Sequence, residues 1–173
     1  MSLLVFLRGV NVGRHKRFLP AALARDLARY DVVNVGAAGT FVVRAPVPRA
    51  VLHAEIRTKL AFDADIIIVR ERELLEFAAS EPFGRRPPGA SEQRFLSVLL
   101  TRPRVVPALP AIYPANDTWQ VKTVAVSGRL IASTWRRRPG TPVYPNAAVE
   151  RQFGVATTRN WNTVETICDI VRT

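Results

Sequence analysis

The stretch Val32-Val33-Asn34-Val35-Gly36-Ala37-Ala38-Gly39-Thr40-Phe41-Val42-Val43-Arg44 decides the fold of the first half of the chain. Two runs of β-branched and aromatic residues, 32–35 and 40–44, lie on either side of a short segment that contains two glycines. Such runs favour strands, and a short glycine-containing connection between them is typical of a β-hairpin. The sequence therefore predicts two adjacent antiparallel strands here.

Regular apolar spacing continues outward from this hairpin on both sides. Apolar residues recur every three or four positions from Leu19 to Tyr30, which predicts a helix with Pro20 in its first turn. The same spacing from Leu52 to Leu60 predicts a second helix, which runs to about Phe62. Beyond the helices, 3–7 and 65–70 are continuous apolar runs and are expected to form buried strands. The order is βαββαβ, the ferredoxin-like plan.

The second half follows the same plan in a degraded form. After a short helix, Glu71 to Ala79, a connector rich in proline and glycine covers 81–93. A strand is expected at 94–101, followed by at most a short helix around Pro107 to Ile112 and by a hairpin that turns at Ser127-Gly128. Two helices complete the chain, one at 145–153 and a last one with Asn162 at its cap position and Glu165 three residues on, as in a capping box. We expect an α+β fold of two ferredoxin-like βαββαβ-type halves (1–80 and 94–173) in one compact unit, 1–173.

The charge balance is strongly basic, with 25 Lys and Arg against 14 Asp and Glu and a formal net charge of +11. Such a charge attracts polyanions, although a solvated basic surface explains it equally well. The sequence contains one cysteine, Cys168, so it has no internal disulfide and fits a reducing cytoplasm. We find no secretory signal pattern and no apolar run long enough to span a membrane.

The richest polar segment runs from Thr157 to Thr163, directly before the last helix. Arg159 can bind a phosphate or carboxylate with two parallel hydrogen bonds, and Thr157, Thr158 and the helix amides would complete an anion site. The alternative is structural: Asn160 and Asn162 cap the helix, Trp161 fills the core, and Arg159 meets an internal acid or carbonyl.

A second polar loop, Arg8 to Gly13, follows the first strand. Its glycines would let backbone amides approach a ligand, but it lacks the residues of a P-loop or a dinucleotide-binding fingerprint. The alternative is a tight turn. If this loop lies near Arg159, the two segments would form one composite pocket, which is a hypothesis.

Other chemistries find little support in the sequence. His15 and His53 are far apart, so no metal site is expected, and Asp63 with Asp65 is only a weak candidate for Mg²⁺. Cys168 lies on the apolar face of the last helix and is expected to be a core residue rather than a nucleophile.

Nucleic-acid binding is the main alternative function, because the fold order and the charge both allow it. The basic clusters that would line a groove are Arg14, Lys16 and Arg17, Arg85 and Arg86, and Arg136, Arg137 and Arg138. RNA-recognition modules stack bases on aromatic residues of their third strand. The matching positions here hold Thr40 and Val42, so that stacking surface is absent. A charged groove that uses Trp119, Trp135 or Trp161 is the form of nucleic-acid binding left open, for single strands.

Three segments carry a resemblance to a known family: 7–13 (Leu-Arg-Gly-Val-Asn-Val-Gly), Pro82-Phe83, and 158–163 (Thr-Arg-Asn-Trp-Asn-Thr). The chain resembles an uncharacterised bacterial family, the domain of unknown function 1697. The resemblance implies an α+β fold of two ferredoxin-like halves and no established activity, cofactor or partner. Three segments depart from the family pattern. Ala38-Gly39-Thr40 stands where the family tends to have Ser-Gly-Asn, and Pro142-Val143 stands where it often has Ser-Lys. After the first loop, where family members commonly have Gly, Lys or Asn, this chain has the basic residues 14–17.

The sequence thus predicts a cytoplasmic protein that binds a small anionic ligand without a cofactor. The expected ligand-binding residues are Arg8, Asn11, Gly13, Thr158, Arg159, Asn160 and Trp161. The alternatives are a nucleic-acid-binding module and, second, an enzyme acting on a phosphorylated metabolite with the arginines stabilising developing charge.

Overall fold

The computed structural model describes residues 1–11 and 18–173 of the chain. The chain folds into two compact units, Met1–Leu75 with Glu165–Thr173, and Glu76–Val164. Each unit contains one antiparallel sheet, of four strands in the first and five in the second. The fold is therefore α+β with two ferredoxin-like halves, as the sequence predicted.

The first unit follows the βαββαβ order. Its elements are β1 (Leu3–Arg8), α1 (Pro20–Asp26), β2 (Val32–Asn34), β3 (Thr40–Val43), α2 (Arg49–Lys59) and β4 (Asp65–Arg70). The sheet order is β2-β3-β1-β4, and β1 is central, as its continuous apolar character predicted.

The core of the first unit lies between one face of this sheet and the two helices. Val5, Phe41 and Ile68 from the sheet pack in one cluster with Leu23 from α1 and Leu52 from α2. The predicted apolar stripe was wrong at Leu19, which is 73% exposed because it precedes α1 as its cap residue rather than lying within it.

The second unit contains the larger sheet. The remaining elements of the chain are α3 (Glu71–Ala79), β5 (Glu92–Leu99), β6 (Ala111–Tyr113), β7 (Val121–Ser127), β8 (Leu130–Arg136), α4 (Pro145–Phe153), β9 (Ala156–Asn160) and α5 (Trp161–Arg172). Of these, α3 and α5 each belong in part to the first unit. The sheet order is β6-β7-β8-β5-β9. When the edge strand β6 is set aside, this order matches the first sheet strand for strand. The second half therefore keeps the plan, with an irregular segment and β6 in the place of α1.

Four local predictions for the second half were wrong. Residues 156–160 form a strand where no strand was predicted, because they pair with β5 over the whole length of β9. The proline-rich segment forms β6 instead of a short helix, since its residues 111–113 bond to β7. The hairpin turns at Gly128-Arg129, where Gly128 takes a φ of +59°. The last helix starts one residue after Asn160, so Asn160 and not Asn162 is its cap.

No helix within the described residues has the length and apolar character needed to cross a bilayer.

Candidate functional site

The loop after β1 begins with an arginine that is already paired. Arg8 lies opposite Asp65 in the β1–β4 register, and its Nη1 donates to Asp65 Oδ2 at 3.0 Å. Asn11 adopts a positive φ of 55°, and its Oδ1 accepts a hydrogen bond from the Phe18 amide at 3.0 Å. Arg8 thus links β1 to β4, and the Asn11 side chain bonds to the nearby backbone at Phe18. Gly13 and the basic residues 14–17 lie outside the described residues.

A pocket of about 390 Å³ lies beside this loop in the first unit. Its charged lining consists of Arg8, Arg57, Asp63 and Asp65. Arg8 pairs with Asp65, and Arg57 lies 3.9 Å from Asp63, so positive and negative groups balance. The described residues contain no cluster of three His, Cys, Asp or Glu side chains suited to a metal ion. The described lining of this pocket therefore offers little net attraction to either an anion or a cation.

In the end segment, Thr158 belongs to a chain of hydrogen bonds beneath α4. Its hydroxyl donates to Asn146 Oδ1 at 2.9 Å and lies 2.6 Å from Ser97 Oγ. Thr158 faces α4, and successive side chains of a strand point to opposite faces. Thr157 and Arg159 therefore lie on the other face of the five-stranded sheet.

Arg159 is buried on that opposite face, with 7% of the residue exposed. Its Nη1 donates to Thr157 Oγ1 at 2.7 Å and to the Thr158 carbonyl at 3.0 Å. Burial lowers the pKa of the guanidinium to about 10, so the group is still charged at neutral pH. The contacts with the hydroxyl and the carbonyl correspond to the structural alternative considered for this residue.

The next two residues, Asn160 and Trp161, make different structural contacts. Asn160 Oδ1 accepts the backbone amide of Thr163 at 3.0 Å, which makes Asn160 the N-cap of α5. Trp161 meets the ring of Phe83 edge-on, with ring centroids 4.8 Å apart. The end motif is thereby connected to the 82–89 loop of the same unit.

This loop forms one wall of a pocket of about 330 Å³ on the second sheet. The chemically distinctive lining residues are Phe83, Arg86, Glu92, Arg94, Lys122 and Thr134. Arg94 of β5, Thr134 of β8 and Lys122 of β7 are directly paired across the three strands. Directly opposite residues of antiparallel strands share a face, so these side chains form one row on the face opposite α4.

Three cations surround this pocket. Within the described ranges, Arg86, Arg94 and Lys122 form no ion pair with a carboxylate. Arg94 instead donates to the Arg86 carbonyl and places its guanidinium 4.9 Å from the Phe83 ring centroid. The Lys122 ammonium lies 4.6 Å from the Trp119 ring centroid. The pocket therefore has a net positive charge together with an aromatic wall.

The end motif borders this pocket, although the sequence did not predict the pocket itself. Arg159 pairs with Leu96, two residues from Arg94 on the same face, and Trp161 contacts the wall residue Phe83. The feature that was missed is a β-bulge in β7. The turn at Gly128-Arg129 alone would set Lys122 opposite Trp135, but a register shift between Thr123 and Ala125 sets it opposite Thr134 and turns its side chain to the face opposite α4.

The basic cluster predicted for nucleic acid is largely engaged with its own surroundings. The Arg136 guanidinium stacks 3.8 Å from the Trp119 ring centroid, and that of Arg137 lies 5.5 Å from the Trp135 ring centroid. Arg138 donates to the carbonyls of Trp119 and Asp117 at 3.0 and 2.9 Å. Arg136 and Arg138 therefore stabilise the 117–119 turn, whereas Arg137 contacts the Trp135 ring of β8.

Comparison with protein-family models matches residues 1–131 to the family described as protein of unknown function (DUF1697). The match covers well over half of the chain, so the chain belongs to this family. It includes the pocket residues 83–122 and ends before the 158–163 motif. Searches of the curated proteins and of the solved structures found no match.

Proposed function

We propose that this member of the DUF1697 family binds a small anionic ligand, bearing a phosphate or carboxylate, in the pocket between the 82–89 loop and the second sheet. The observation that carries the proposal is a set of three cations around one concavity, Arg86, Arg94 and Lys122. None of them forms an ion pair with a described carboxylate, and they outnumber the one carboxylate in the lining, Glu92. Charge-assisted hydrogen bonds from such groups are the usual means of holding phosphate and carboxylate.

The location differs from the one expected from the sequence. Arg8 and Arg159 each use their guanidinium groups on internal acceptors, and the pocket at Arg8 balances its charges with Asp65 and Asp63. The Arg8–Gly13 loop and the Thr157–Thr163 segment therefore stay a second proposed location. Trp161 belongs to both proposals, since it supports the Phe83 wall.

Nucleic-acid binding is the alternative proposal, supported by the net charge of +11. Arg138 counts less toward such an interface, because its guanidinium already donates to two backbone carbonyls, whereas Arg94 in the pocket donates to one. An enzyme acting on a phosphorylated metabolite is the second alternative. In that case Glu92, whose carboxylate lines the pocket, is the candidate group for moving a proton. The proposed cytoplasmic location is supported by the single cysteine.

Isothermal titration calorimetry with inorganic phosphate at low salt tests the proposal. We expect phosphate to bind the wild type and to bind the double variant Arg86→Gln/Lys122→Gln at least about 10-fold more weakly, because each lost charge-assisted bond contributes about 1.5 kcal/mol or more. Arg102→Gln/Arg104→Gln is the matched control, since it removes two exposed charges outside the pocket.

Equal weakening of the control would mean that phosphate responds only to net charge, and the pocket proposal would then be wrong. Loss of binding in Arg159→Gln, with the pocket double variant unaffected, would move the site to the end segment.

A further inference from the structure

The pocket on the second sheet combines three kinds of group, namely cations, an aromatic wall and a carboxylate. From this combination we infer that its ligand is a phosphate monoester joined to a flat ring, of the chemical class of the nucleoside monophosphates. The inference rests on the proposed anion binding and goes further, because it specifies both the anion and the part attached to it.

The charge of the lining favours a phosphate monoester over a carboxylate. Arg86, Arg94 and Lys122 contribute three positive charges and Glu92 one negative charge, which leaves a net charge of +2. A phosphate monoester carries about −1.5 to −2 at pH 7 and offers three acceptor oxygens. A single carboxylate would leave one cation without a counter-charge in the pocket.

The aromatic wall is held in place by contacts on more than one side. The Arg94 guanidinium lies 4.9 Å from the Phe83 centroid, and the Trp161 ring meets Phe83 at 86°. A ring fixed in this way loses little freedom when another flat group stacks nearby. Nucleobases stack on both aromatic rings and guanidinium planes, so Phe83 and Arg94 suit the same kind of partner.

Glu92 has no obvious use in a site for inorganic phosphate, since it would repel the anion. Its Oε2 accepts a long hydrogen bond, of 3.4 Å, from the Gly89 amide. A carboxylate can accept hydrogen bonds from ribose hydroxyls or from the amino group of a base. Together with the Thr134 hydroxyl, it would select a ligand that carries donors as well as a phosphate.

The size of the pocket matches a single nucleotide. A volume of about 330 Å³ falls at the lower end of the range of about 300–1,000 Å³ that is usual for small-molecule sites. Arg138, outside the pocket, already donates to two backbone carbonyls, which leaves its guanidinium fewer donors for the phosphates of a longer chain.

The test compares four probes by titration calorimetry with the full chain: inorganic phosphate, ribose 5-phosphate, adenosine 5′-monophosphate and cytidine 5′-monophosphate. We expect each nucleotide to bind at least about 10-fold more tightly than ribose 5-phosphate, since stacking of one base supplies that much affinity. Phe83→Leu should abolish this advantage and leave ribose 5-phosphate binding within about 2-fold of the wild type. Phe83→Tyr, which keeps the ring, should restore the advantage, and circular dichroism should show that both variants are folded.

The outcomes distinguish failure of this inference from failure of the anion-binding proposal on which it rests. Equal affinities for ribose 5-phosphate and the nucleotides would overturn the inference while anion binding stands. Absence of binding for every phosphate probe would overturn both. A 20-nucleotide RNA that binds over 100-fold more tightly than the monophosphates, with a steep salt dependence, would replace the mononucleotide by nucleic acid.

Discussion

Replacing Thr158 with valine should destabilise the protein without affecting anion binding, because the Thr158 hydroxyl holds together three elements of the second unit. It donates to Asn146 Oδ1 of α4 at 2.9 Å and therefore accepts the hydrogen of Ser97 Oγ of β5 at 2.6 Å. Valine has nearly the same shape as threonine, so the substitution removes the two hydrogen bonds and leaves the packing in place.

The cost can be worked out from the burial of the two partners. Ser97 is fully buried, at 0% exposure, so its hydroxyl would lose its acceptor with no water to replace it. Such a buried, unsatisfied donor costs about 1–3 kcal/mol, and we expect Thr158→Val to lower the free energy of unfolding by about 2 kcal/mol. Asn146 is partly exposed and can turn to water, so it adds little.

A double-mutant cycle with Ser97→Ala is the appropriate assay, with urea unfolding followed by tryptophan fluorescence. Ser97→Ala alone should cost about 1 kcal/mol, since Thr158 keeps its bond to Asn146. In the double variant no donor is stranded, so the loss should be smaller than the sum of the single losses by about 1 kcal/mol or more. Additivity within about 0.3 kcal/mol would refute the hydrogen-bond chain. Weaker phosphate binding by Thr158→Val, with unchanged stability, would instead favour a ligand role for this residue.

Three further variants test separate parts of the fold by urea denaturation. Asn160→Ala should cost about 1 kcal/mol through loss of the α5 cap, whereas Asn160→Asp should keep the stability, and an equal loss in both would refute the cap. Gly39→Ala should lower the free energy of unfolding by about 2 kcal/mol or more, because φ at Gly39 is +79° and the new methyl would lie 2.9 Å from Leu7 Cβ. A urea midpoint equal to that of the wild type would contradict this. Hydrogen bonding from Tyr30 lowers the pKa of Glu55. The wild type should therefore exceed Glu55→Gln in free energy of unfolding by the full amount at neutral pH, and this difference should shrink as the pH falls below the usual carboxyl range. A pH-independent difference would count against this contact.

Sequence reasoning succeeded where the signal is local and failed where it depends on pairing. The runs 3–7, 40–44 and 65–70 could be read as strands because their apolar, β-branched character is a property of each run alone. The strand 156–160 was missed because its polar side chains resemble a loop, and only its hydrogen bonds to β5 make it a strand. The predicted cap, Asn162, lay two residues beyond the observed cap for the same reason, because Asn160 ends that strand.

The candidate site shows the same division. The sequence identified Arg159 and Trp161 as chemically rich. Trp161 contacts the pocket residue Phe83, and Arg159 lies opposite Leu96, two residues along β5 from the pocket residue Arg94. It gave no indication that Arg94 and Lys122 would share that pocket, because they lie on strands that β8 separates.

The amino-acid sequence by itself determined the α+β class, the order of strands and helices in the first half, and the excess of positive charge. Periodicity and composition decide these properties, and neither depends on distant partners. Only the tertiary structure decided which of these positive charges are free of a neighbouring carboxylate and so available to an anionic ligand. Strand register brings Arg8 against Asp65 and neutralises it, whereas the register of β5, β8 and β7 brings Arg94 and Lys122 to one face, with the uncharged Thr134 between them. The strength of a charge at a site depends on its neighbours in space, and register sets those neighbours.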